Sequence, residues 1–305
     1  MTEKTIIRDL KILGDVKPGE PMAAHTTFRV GGPAELLFTP RNPECLGQAR
    51  ALARDAGLPF TVIGGGSNLL VGDRGIRGIV VRICDENFAG GVRLEDDEGL
   101  LYSDARVGKK DFLEFALVYG LEGMEFLAGL PGCVGGGIAM NAGTDRGWFS
   151  DILTRVRCID GSGAVVEQEI TAEMARYRNL VVEEGAIFLG GYFRLRHAAD
   201  PDESRRRVEE ILRDREFKHP LEYPSAGSVF KNPEGHASWK LVNDAGLRGF
   251  RIGGAMVSEK HTNFIINAGG ATAADIVRLI RHIQETVQTR FGVTLETEVR
   301  MLGEF

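Results

Sequence analysis

Glycine constrains this chain more than any other residue type, because it is both abundant and clustered. The chain has 40 glycines in 305 residues, whereas an average soluble protein of this length has about 21. Glycine shows no three-residue period and there are only 11 prolines, which excludes a collagen-like fibre. With 43 % hydrophobic and 26 % charged residues, the chain is also unlike a disordered one. The extra glycines must therefore serve tight turns, or the close approach of backbone to a ligand, in a folded protein.

Charge and cysteine content narrow the class of protein. The net charge is −6, so we expect no nucleic-acid partner. The N-terminal segment lacks a signal-peptide core and no apolar run approaches about 18 residues, so we expect no membrane segment. The cysteines lack ligand spacing, so we expect reduced thiols and no metal; they are Cys45, Cys84, Cys133 and Cys158. These features predict a cytoplasmic protein of about two domains.

Local signals predict alternating strands and helices up to a domain boundary at 197–201. A strand at 34–39 precedes a helix that begins with Asn42 as its N-cap and Pro43 in its first turn. A further helix is predicted over 202–217. Other elements are predicted at 61–63, 78–83, 101–107, 111–119, 152–159, 164–170 and 186–195.

The C-terminal part of the chain carries two further signals. Thr272 is a predicted N-cap, and the residues after it form an apolar stripe at helical spacing. The segment 294–302 alternates polar and apolar residues, which predicts a C-terminal strand.

The first glycine cluster follows a short predicted strand and comprises Gly64, Gly65 and Gly66. Successive glycines can expose several backbone N–H groups together, which forms an anion-binding nest. Ser67 and Asn68 add side-chain donors. A plain tight turn explains the same residues equally well, so this segment alone leaves phosphate binding open.

The second cluster extends from Gly129 to Gly143. Its spacing matches neither the Rossmann G-x-G-x-x-G loop nor the Walker loop, so neither site is supported. A helix that begins near Gly132 would place a pyrophosphate at its positive end. Two separate glycine clusters suggest a large diphosphate ligand, and a dinucleotide fits better than a mononucleotide.

A polar loop over 223–233 is the third candidate. Ser228 and Lys231 match the S-x-x-K pattern of penicillin-binding proteins, but neither S-D-N nor K-T-G follows, so the match is weak. Hydroxyl, ammonium and amide groups are dense in this loop, which prolines bound. Such a loop suits a polar, anionic substrate.

Seven short motifs follow one another along the chain. They are HTTFRVGGPA at 25–34, GGGSNLL at 64–70, GLPG with MNAG within 129–143, YRN at 177–179, SAGSVFKNP at 225–233, GGA with VSEKH within 253–261, and LETEVR at 295–300. Each is modest alone, but the ordered set resembles the UDP-N-acetylenolpyruvoylglucosamine reductases, also called UDP-N-acetylmuramate dehydrogenases. The resemblance covers about residues 20–303.

This resemblance implies an α+β fold, in which a two-part FAD-binding unit of the vanillyl-alcohol-oxidase (PCMH) type precedes a C-terminal α/β substrate-binding domain. The implied FAD-binding subdomains are 1–75 and 76–198, the implied substrate domain is 199–293, and the strand at about 294–305 returns to the FAD-binding unit. In the family, NADPH reduces non-covalently bound FAD. The flavin then reduces the enolpyruvyl ether of UDP-N-acetylglucosamine to UDP-N-acetylmuramate for peptidoglycan synthesis. Small-molecule substrates and a monomer are expected.

The resemblance also assigns residue roles. Arg178 and a protonated Glu298 would stabilise the enol intermediate, and Ser228 would deliver a proton. Whether Lys231 or an ordered water assists Ser228 stays open. Substrate contacts would come from Tyr177, Lys218, Tyr223, Lys231, Asn232 and His261. FAD contacts would come from Gly64, Gly65, Gly66, Ser67, Asn68, Leu69, Pro131, Gly132, Val134, Gly135, Gly136, Gly137, Asn141, Ala142 and Gly143.

Two departures from the family pattern affect local contacts rather than the reaction, and two alternative functions stay open. Leu180 stands where the family usually has serine, and Trp148–Phe149 occupies a region where it usually has a glutamate. One alternative is another flavoprotein of the same fold, such as an oxidase that acts on an alcohol. The other is a nucleotide-sugar-binding module without catalysis.

Overall fold

The computed structural model describes residues 2–84 and 91–305. Met1 and residues 85–90, which belong to the predicted subdomains 1–75 and 76–198, lie outside the described residues. The helices are α1 (Glu3–Leu13), α2 (Pro43–Asp55), α3 (Lys109–Val118), α4 (Val134–Ala139), α5 (Phe149–Ile152), α6 (Pro201–Lys218), α7 (Ser238–Asp244) and α8 (Ala273–Phe291).

The strands are mostly short. They are β1 (Gly14–Pro21), β2 (Pro33–Pro40), β3 (Phe60–Ile63), β4 (Leu69–Val71), β5 (Ile76–Arg82), β6 (Val92–Leu94), β7 (Leu100–Asp104), β8 (Leu121–Glu122), β9 (Gly143–Thr144), β10 (Gly147–Trp148), β11 (Leu153–Ile159), β12 (Val165–Glu169), β13 (Ala175–Arg176), β14 (Asn179–Leu180), β15 (Ile187–Arg194), β16 (Arg196–His197), β17 (Ser225–Ser228), β18 (Arg251–Ile252), β19 (Ala255–Val257), β20 (Phe264–Asn267) and β21 (Arg300–Leu302).

The chain divides into two units. Unit 1 comprises Met1–Val16, Phe38–Gly65 and Val81–Arg215, and unit 2 comprises Lys17–Leu37, Gly66–Val80 and Glu216–Phe305. Strands β1, β2 and β5 each begin in one unit and end in the other, and they belong to a four-stranded sheet of order β1-β2-β5-β3. The assignment of chain segments to FAD and to substrate stays a prediction.

Unit 1 contains a five-stranded antiparallel sheet of order β12-β11-β15-β7-β6. Its central strand β15 needs glycine at Gly190, because a Cβ there would lie 2.5 Å from the Tyr102 hydroxyl. The core of the unit is aromatic: Phe193 is fully buried, with its ring centroid 4.7 Å from Phe112 and 5.8 Å from Phe149. These rings pack beside the short helix α4, which carries the second glycine cluster.

Unit 2 contains a four-stranded antiparallel sheet of order β17-β20-β19-β18. Helix α8 begins after its predicted N-cap, Thr272, which forms a capping box with Asp275. The predicted apolar stripe is buried in the core, as Ile276, Leu279, Ile280, Ile283 and Val287. The Asp73 carboxylate also accepts the N–H groups of Ala273 and Ala274 at 2.8 and 2.9 Å.

The predicted helices on either side of the boundary at 197–201 are confirmed as well. The Asn42 side chain caps α2 by accepting the Cys45 N–H at 2.8 Å, and Pro43 occupies the first turn. Helix α6 extends from Pro201 to Lys218, one residue beyond the prediction at each end. In the described part of the chain, no helix is both long and apolar enough to cross a membrane.

The predicted C-terminal strand over 294–302 was too long. Only Arg300–Leu302 forms a strand, which pairs in parallel with β4. The preceding residues bond instead to a loop: the Lys231 N–H donates to the Glu296 carbonyl at 2.9 Å. The alternating burial persists, with Leu295 and Val299 buried, while backbone hydrogen bonds to the loop at 229–231 take the place of a strand partner.

Candidate active site

Ser228 lies at the end of β17 in unit 2. It is opposite Phe264 in β20, and the register between the two strands shifts between Ser225 and Ser228. Gly227 adopts a φ of +75° within this shift, a conformation that favours glycine. The irregularity turns the chain so that half-buried Ser228 ends the strand, before the core residues Val229 and Phe230.

Glu298 approaches the same loop from the C-terminal segment. Its backbone N–H donates to the Val229 carbonyl at 2.7 Å. The Asn68 side-chain amide donates to the Glu298 carbonyl at 3.1 Å. The structure therefore brings together two predicted catalytic residues, Ser228 and Glu298, on segments that are tied at Val229.

Lys231 and Asn232, predicted to contact substrate, also hold this loop. The Lys231 ammonium pairs with the Glu296 carboxylate at 3.2 Å, and both side chains are more than a third exposed. Such a pair contributes at most about 1 kcal/mol. The Asn232 side-chain oxygen accepts the Ser238 N–H at 3.0 Å. Among the described residues, the Lys231 ammonium bonds to Glu296 and not to Ser228, so the S-x-x-K match has no counterpart in the geometry.

His261 lies in an aromatic group of unit 2, with its ring centroid 5.3 Å from His219 and 4.9 Å from Phe264. Burial lowers the pKa of His261, so the imidazole is neutral near pH 7. Its Nδ1 accepts the Asn263 N–H at 3.3 Å, which assigns the proton to Nε2. Lys218 and Tyr223, the other substrate candidates of this unit, are exposed.

Arg178 lies in unit 1, in the two-residue turn between β13 and β14. Its φ is +58°, an uncommon and strained conformation for a non-glycine residue. The guanidinium donates to the Gly143 carbonyl at 3.0 Å and lies 5.0 Å from the Trp148 ring and 5.1 Å from the Tyr177 ring. Leu180, which replaces the usual serine, is buried in the core. The turn therefore holds a fixed cation on an aromatic platform.

The two glycine clusters meet within unit 1. A Cβ added to Gly65 would lie 3.0 Å from the Gly132 Cα, and one added to Gly64 would lie 2.9 Å from the Cys133 sulfur. In unit 2, the cluster continues with Gly66, whose φ is +68° and whose Cβ would lie 1.9 Å from the His25 carbonyl. Ser67, Asn68 and Leu69 follow it. The close contact of Gly64 and Gly65 with the second cluster explains why these two positions need glycine.

Helix α4 begins at Val134, close to the predicted start. Its first N–H groups are already bonded: Val134 donates to the Val107 carbonyl and Gly135 to the Ala105 carbonyl. The protein itself therefore satisfies the first two N–H groups of the helix, and binding of a pyrophosphate at this terminus stays a prediction.

The glycines of α4 differ in what surrounds them. A Cβ at Gly135 would lie 2.7 Å from the Ala105 Cβ, and one at Gly137 would lie 2.3 Å from the Phe149 ring. At Gly136 the nearest atom would be the Cys133 sulfur, at 3.9 Å. Internal packing therefore accounts for Gly135 and Gly137, whereas Gly136 leaves an open backbone surface.

The loop after α4 supports the Arg178 turn. Asn141 is buried, with a φ of +37°; its side chain accepts the Ser150 N–H at 2.9 Å and donates to the Arg176 carbonyl at 3.2 Å. The Ala142 N–H donates to the Gly137 carbonyl at 2.8 Å. Pro131 is exposed at the start of the cluster. The Asn141 side chain thus has a structural function, while a direct contact with FAD stays a prediction for these residues.

One buried polar residue beside the glycine clusters, Lys109, was not predicted from the sequence as a functional residue. Lys109 is only 7 % exposed, and burial lowers the pKa of its ammonium to about 8. A hydrogen bond from Cys84 lowers the pKa of the Cys133 thiol to about 6, with smaller contributions from the N–H groups of Gly136 and Gly65. Unit 1 therefore places the Lys109 ammonium and the buried Cys133 thiol close to the glycine clusters, and the Lys109 N–H itself donates to the Gly132 carbonyl at 3.0 Å.

Comparison with known proteins supplies the family. The FAD binding domain model matches residues 34–169, and the model of the UDP-N-acetylenolpyruvoylglucosamine reductase C-terminal domain matches residues 219–302. A UDP-N-acetylenolpyruvoylglucosamine reductase of Clostridium botulinum (strain Hall) is 44 % identical over 286 residues, 93 % of this chain and 92 % of that protein. The protein of the same name from Geobacter metallireducens is 42 % identical over 297 residues, 96 % of both chains.

The solved structures include the crystal structure of the same reductase from Thermus caldophilus, with a TM-score of 0.78 and 33 % identity. The match covers 95 % of this chain and 99 % of that one. The fold class predicted from the motifs, with an FAD-binding unit and a C-terminal domain, is confirmed, and so is the resemblance itself. The chain belongs to the UDP-N-acetylenolpyruvoylglucosamine reductase family.

Proposed function

We propose that this protein uses FAD and NADPH to reduce the enolpyruvyl ether of UDP-N-acetylglucosamine to UDP-N-acetylmuramate, a step of peptidoglycan precursor synthesis. Family membership supports the reaction class. The assignment of the site rests most on one observation: the segments that carry Ser228 and Glu298 are joined by the 2.7 Å hydrogen bond between Glu298 N–H and the Val229 carbonyl. That bond holds the backbones of the two segments together, which supports a shared site for the Ser228 hydroxyl and the Glu298 carboxyl.

The residues of unit 1 fit FAD. Gly64, Gly65 and Gly132 are half-buried and pack together without side chains between them, and Gly136 leaves an open backbone. The buried Lys109 cation adds positive charge close to these glycines, which favours an anionic diphosphate. Bound there, FAD would supply the chemistry that carries a hydride from NADPH to the enolpyruvyl carbon.

The chain's own groups would manage charge and protons during this reduction. Hydride addition leaves negative charge that spreads toward the substrate carboxylate, and preorganised donors must meet it. Arg178 suits this work, because its contacts with Gly143 and the Trp148 ring already fix the guanidinium. Glu298 would act in its protonated form as a second donor, and Ser228 would deliver the proton to the other carbon.

Residues 1–198 with the C-terminal strand would hold FAD, and 199–293 would hold the substrate. We further propose that the protein acts as a monomer in the cytoplasm. Its four cysteines are free thiols, as a reducing compartment requires.

An NADPH oxidation assay, run with and without UDP-N-acetylenolpyruvoylglucosamine, tests the proposed function. We expect a yellow protein that releases flavin on denaturation and oxidises NADPH much faster with the enolpyruvyl sugar present. A colourless protein that FAD cannot reconstitute would exclude the flavin chemistry. Rapid reaction of the reduced protein with O₂, without use of the sugar, would favour an oxidase. Tight sugar binding without NADPH consumption would favour a binding module.

Gly136 provides a test of where FAD binds. We expect Gly136→Ala to weaken FAD binding about tenfold or more, because a methyl group there would face the cofactor. The same change should raise the stability of the flavin-free protein by about 0.5–1 kcal/mol, since alanine favours a helix interior and nothing obstructs it. FAD titration and urea unfolding measure the two effects.

Gly47→Ala is the matched control. Gly47 also lies inside a helix, α2, and its added Cβ would be no closer than 3.8 Å to another atom. It should raise stability in the same way and leave FAD affinity unchanged. Wild-type affinity in Gly136→Ala would show that FAD does not approach this backbone.

A further inference from the structure

Asn263 is a buried asparagine to which neither the motifs nor the proposed mechanism assigns a function. It is 5 % exposed and immediately precedes β20. Its side-chain Nδ2 donates to the Phe230 carbonyl at 2.8 Å, and its Oδ1 accepts the Phe230 N–H at 3.0 Å. Its backbone carbonyl also accepts the Val229 N–H at 2.8 Å. One residue therefore bonds three backbone groups of the two residues that follow Ser228.

The same dipeptide is held on its other side by the C-terminal segment. The Val229 carbonyl accepts the Glu298 N–H at 2.7 Å, and Phe230 forms a β-bridge with Thr297. The side chains of Val229 and Phe230 are buried in the core. The backbone between Ser228 and Lys231 is thus fixed between Asn263 and the segment that carries Glu298.

An asparagine suits this place because the strand pairing is interrupted here. The register shift between Ser225 and Ser228 breaks the regular ladder between β17 and β20. Beyond the shift, Phe230 needs one donor and one acceptor that a regular neighbouring strand would have supplied. A primary amide offers both at the right separation, whereas a carboxylate offers only acceptors.

We propose that Asn263 is a positioning residue, which sets the Ser228 hydroxyl relative to Glu298 by fixing the Val229–Phe230 backbone. The inference rests on the proposed function, because it presumes that Ser228 and Glu298 act on the substrate. A small displacement of either group would lower the rate of the substrate step more than it would lower substrate affinity.

The test compares Asn263→Asp with Asn267→Asp in the FAD-loaded protein. Both changes replace an amide that donates to a backbone carbonyl, that of Phe230 at 2.8 Å or that of Phe28 at 3.2 Å. NADPH is added first to bleach the flavin absorbance, and UDP-N-acetylenolpyruvoylglucosamine is then added to restore it. Each rate is expressed per bound flavin, so that a loss of folded protein does not change it.

We expect Asn263→Asp to slow the substrate-dependent return of colour by about 10- to 100-fold. The NADPH-dependent bleaching should keep its wild-type rate, and kcat should fall more than KM rises. Asn267→Asp should leave both rates unchanged. Asn263→Ala, which introduces no buried charge, should reproduce the loss and decides the question if the aspartate variant does not fold.

The outcomes separate this inference from the proposed function. If wild-type protein shows no substrate-dependent return of colour, the proposed function is wrong, whatever Asn263 does. If wild-type protein is active and the Asn263 variants match it per bound flavin, the positioning role is overturned alone. Equal losses in the Asn263 and Asn267 variants would likewise overturn it, because the effect would then be a general loss of structure.

Discussion

Replacing Ser228 by alanine is expected to slow the substrate-dependent half of the reaction by about 10²- to 10⁴-fold, the contribution usual for a positioned proton donor. The NADPH-dependent half should be unchanged, because it needs no proton from this hydroxyl. Ser228 is half-buried at the end of β17, so loss of one oxygen should alter stability little. Stopped-flow absorbance of the flavin measures both halves separately.

Ser225→Ala is the matched control, because Ser225 begins the same strand and is equally half-buried. It should leave both halves of the reaction at wild-type rates. Unchanged turnover in Ser228→Ala would remove this serine from the mechanism. Equal slowing by both variants would instead point to a distorted strand.

The elements with strong local signals could be predicted from the sequence. Helix α2 begins where Asn42 and Pro43 place it, and α8 begins after Thr272. In α2 a capping asparagine and a proline indicate the same start, and in α8 a capping side chain and an apolar stripe indicate the same helix, so tertiary packing does not override the local signals. The C-terminal strand was predicted too long because alternation reveals a buried face but not the partner of the backbone. Here the partner over 296–298 is the loop at 229–231.

The glycine clusters show what residue type alone cannot reveal. Gly135, Gly136 and Gly137 are identical in sequence, yet two of them accommodate Ala105 and Phe149. Only Gly136 leaves an open surface. The bonding of the first N–H groups of α4 is also not visible in the local sequence, because their acceptors, such as the Ala105 carbonyl, are remote in sequence. Such packing depends on contacts that no local pattern encodes.

The burial of Lys109 could have been predicted from the sequence, whereas the importance of the Asn263 amide could not. Lys109 shares a face of α3 with Phe112, Leu113 and Ala116, at the spacing of an apolar stripe. That spacing distinguishes it from its exposed neighbour Lys110. Asn263 has no comparable signal, because its importance arises from a register shift between two strands. The irregular pairing of β17 and β20 leaves the Phe230 backbone to be bonded by the Asn263 side chain.

Replacing Arg178 by lysine is expected to lower kcat/KM by about 10²- to 10³-fold, although the charge is kept. The guanidinium bonds to the Gly143 carbonyl while it lies over the rings of Trp148 and Tyr177. A lysine ammonium cannot maintain this planar stacking and direct several donors at the same time. The free energy of unfolding should change little, because arginine and lysine are equally strained at a φ of +58°.

Arg176→Lys in the neighbouring strand separates the local effect from a general one. Arg176 is exposed and contributes its backbone carbonyl, which the substitution leaves in place, to the hydrogen bond from Asn141. Its variant should therefore match wild-type kinetics, measured as NADPH oxidation at several concentrations of the enolpyruvyl sugar. If Arg178→Lys also matches wild type, a point charge is enough at this position and the fixed guanidinium has no part in stabilising the developing charge. A loss confined to Arg178→Lys would instead show that this position needs the planar guanidinium and not only its charge.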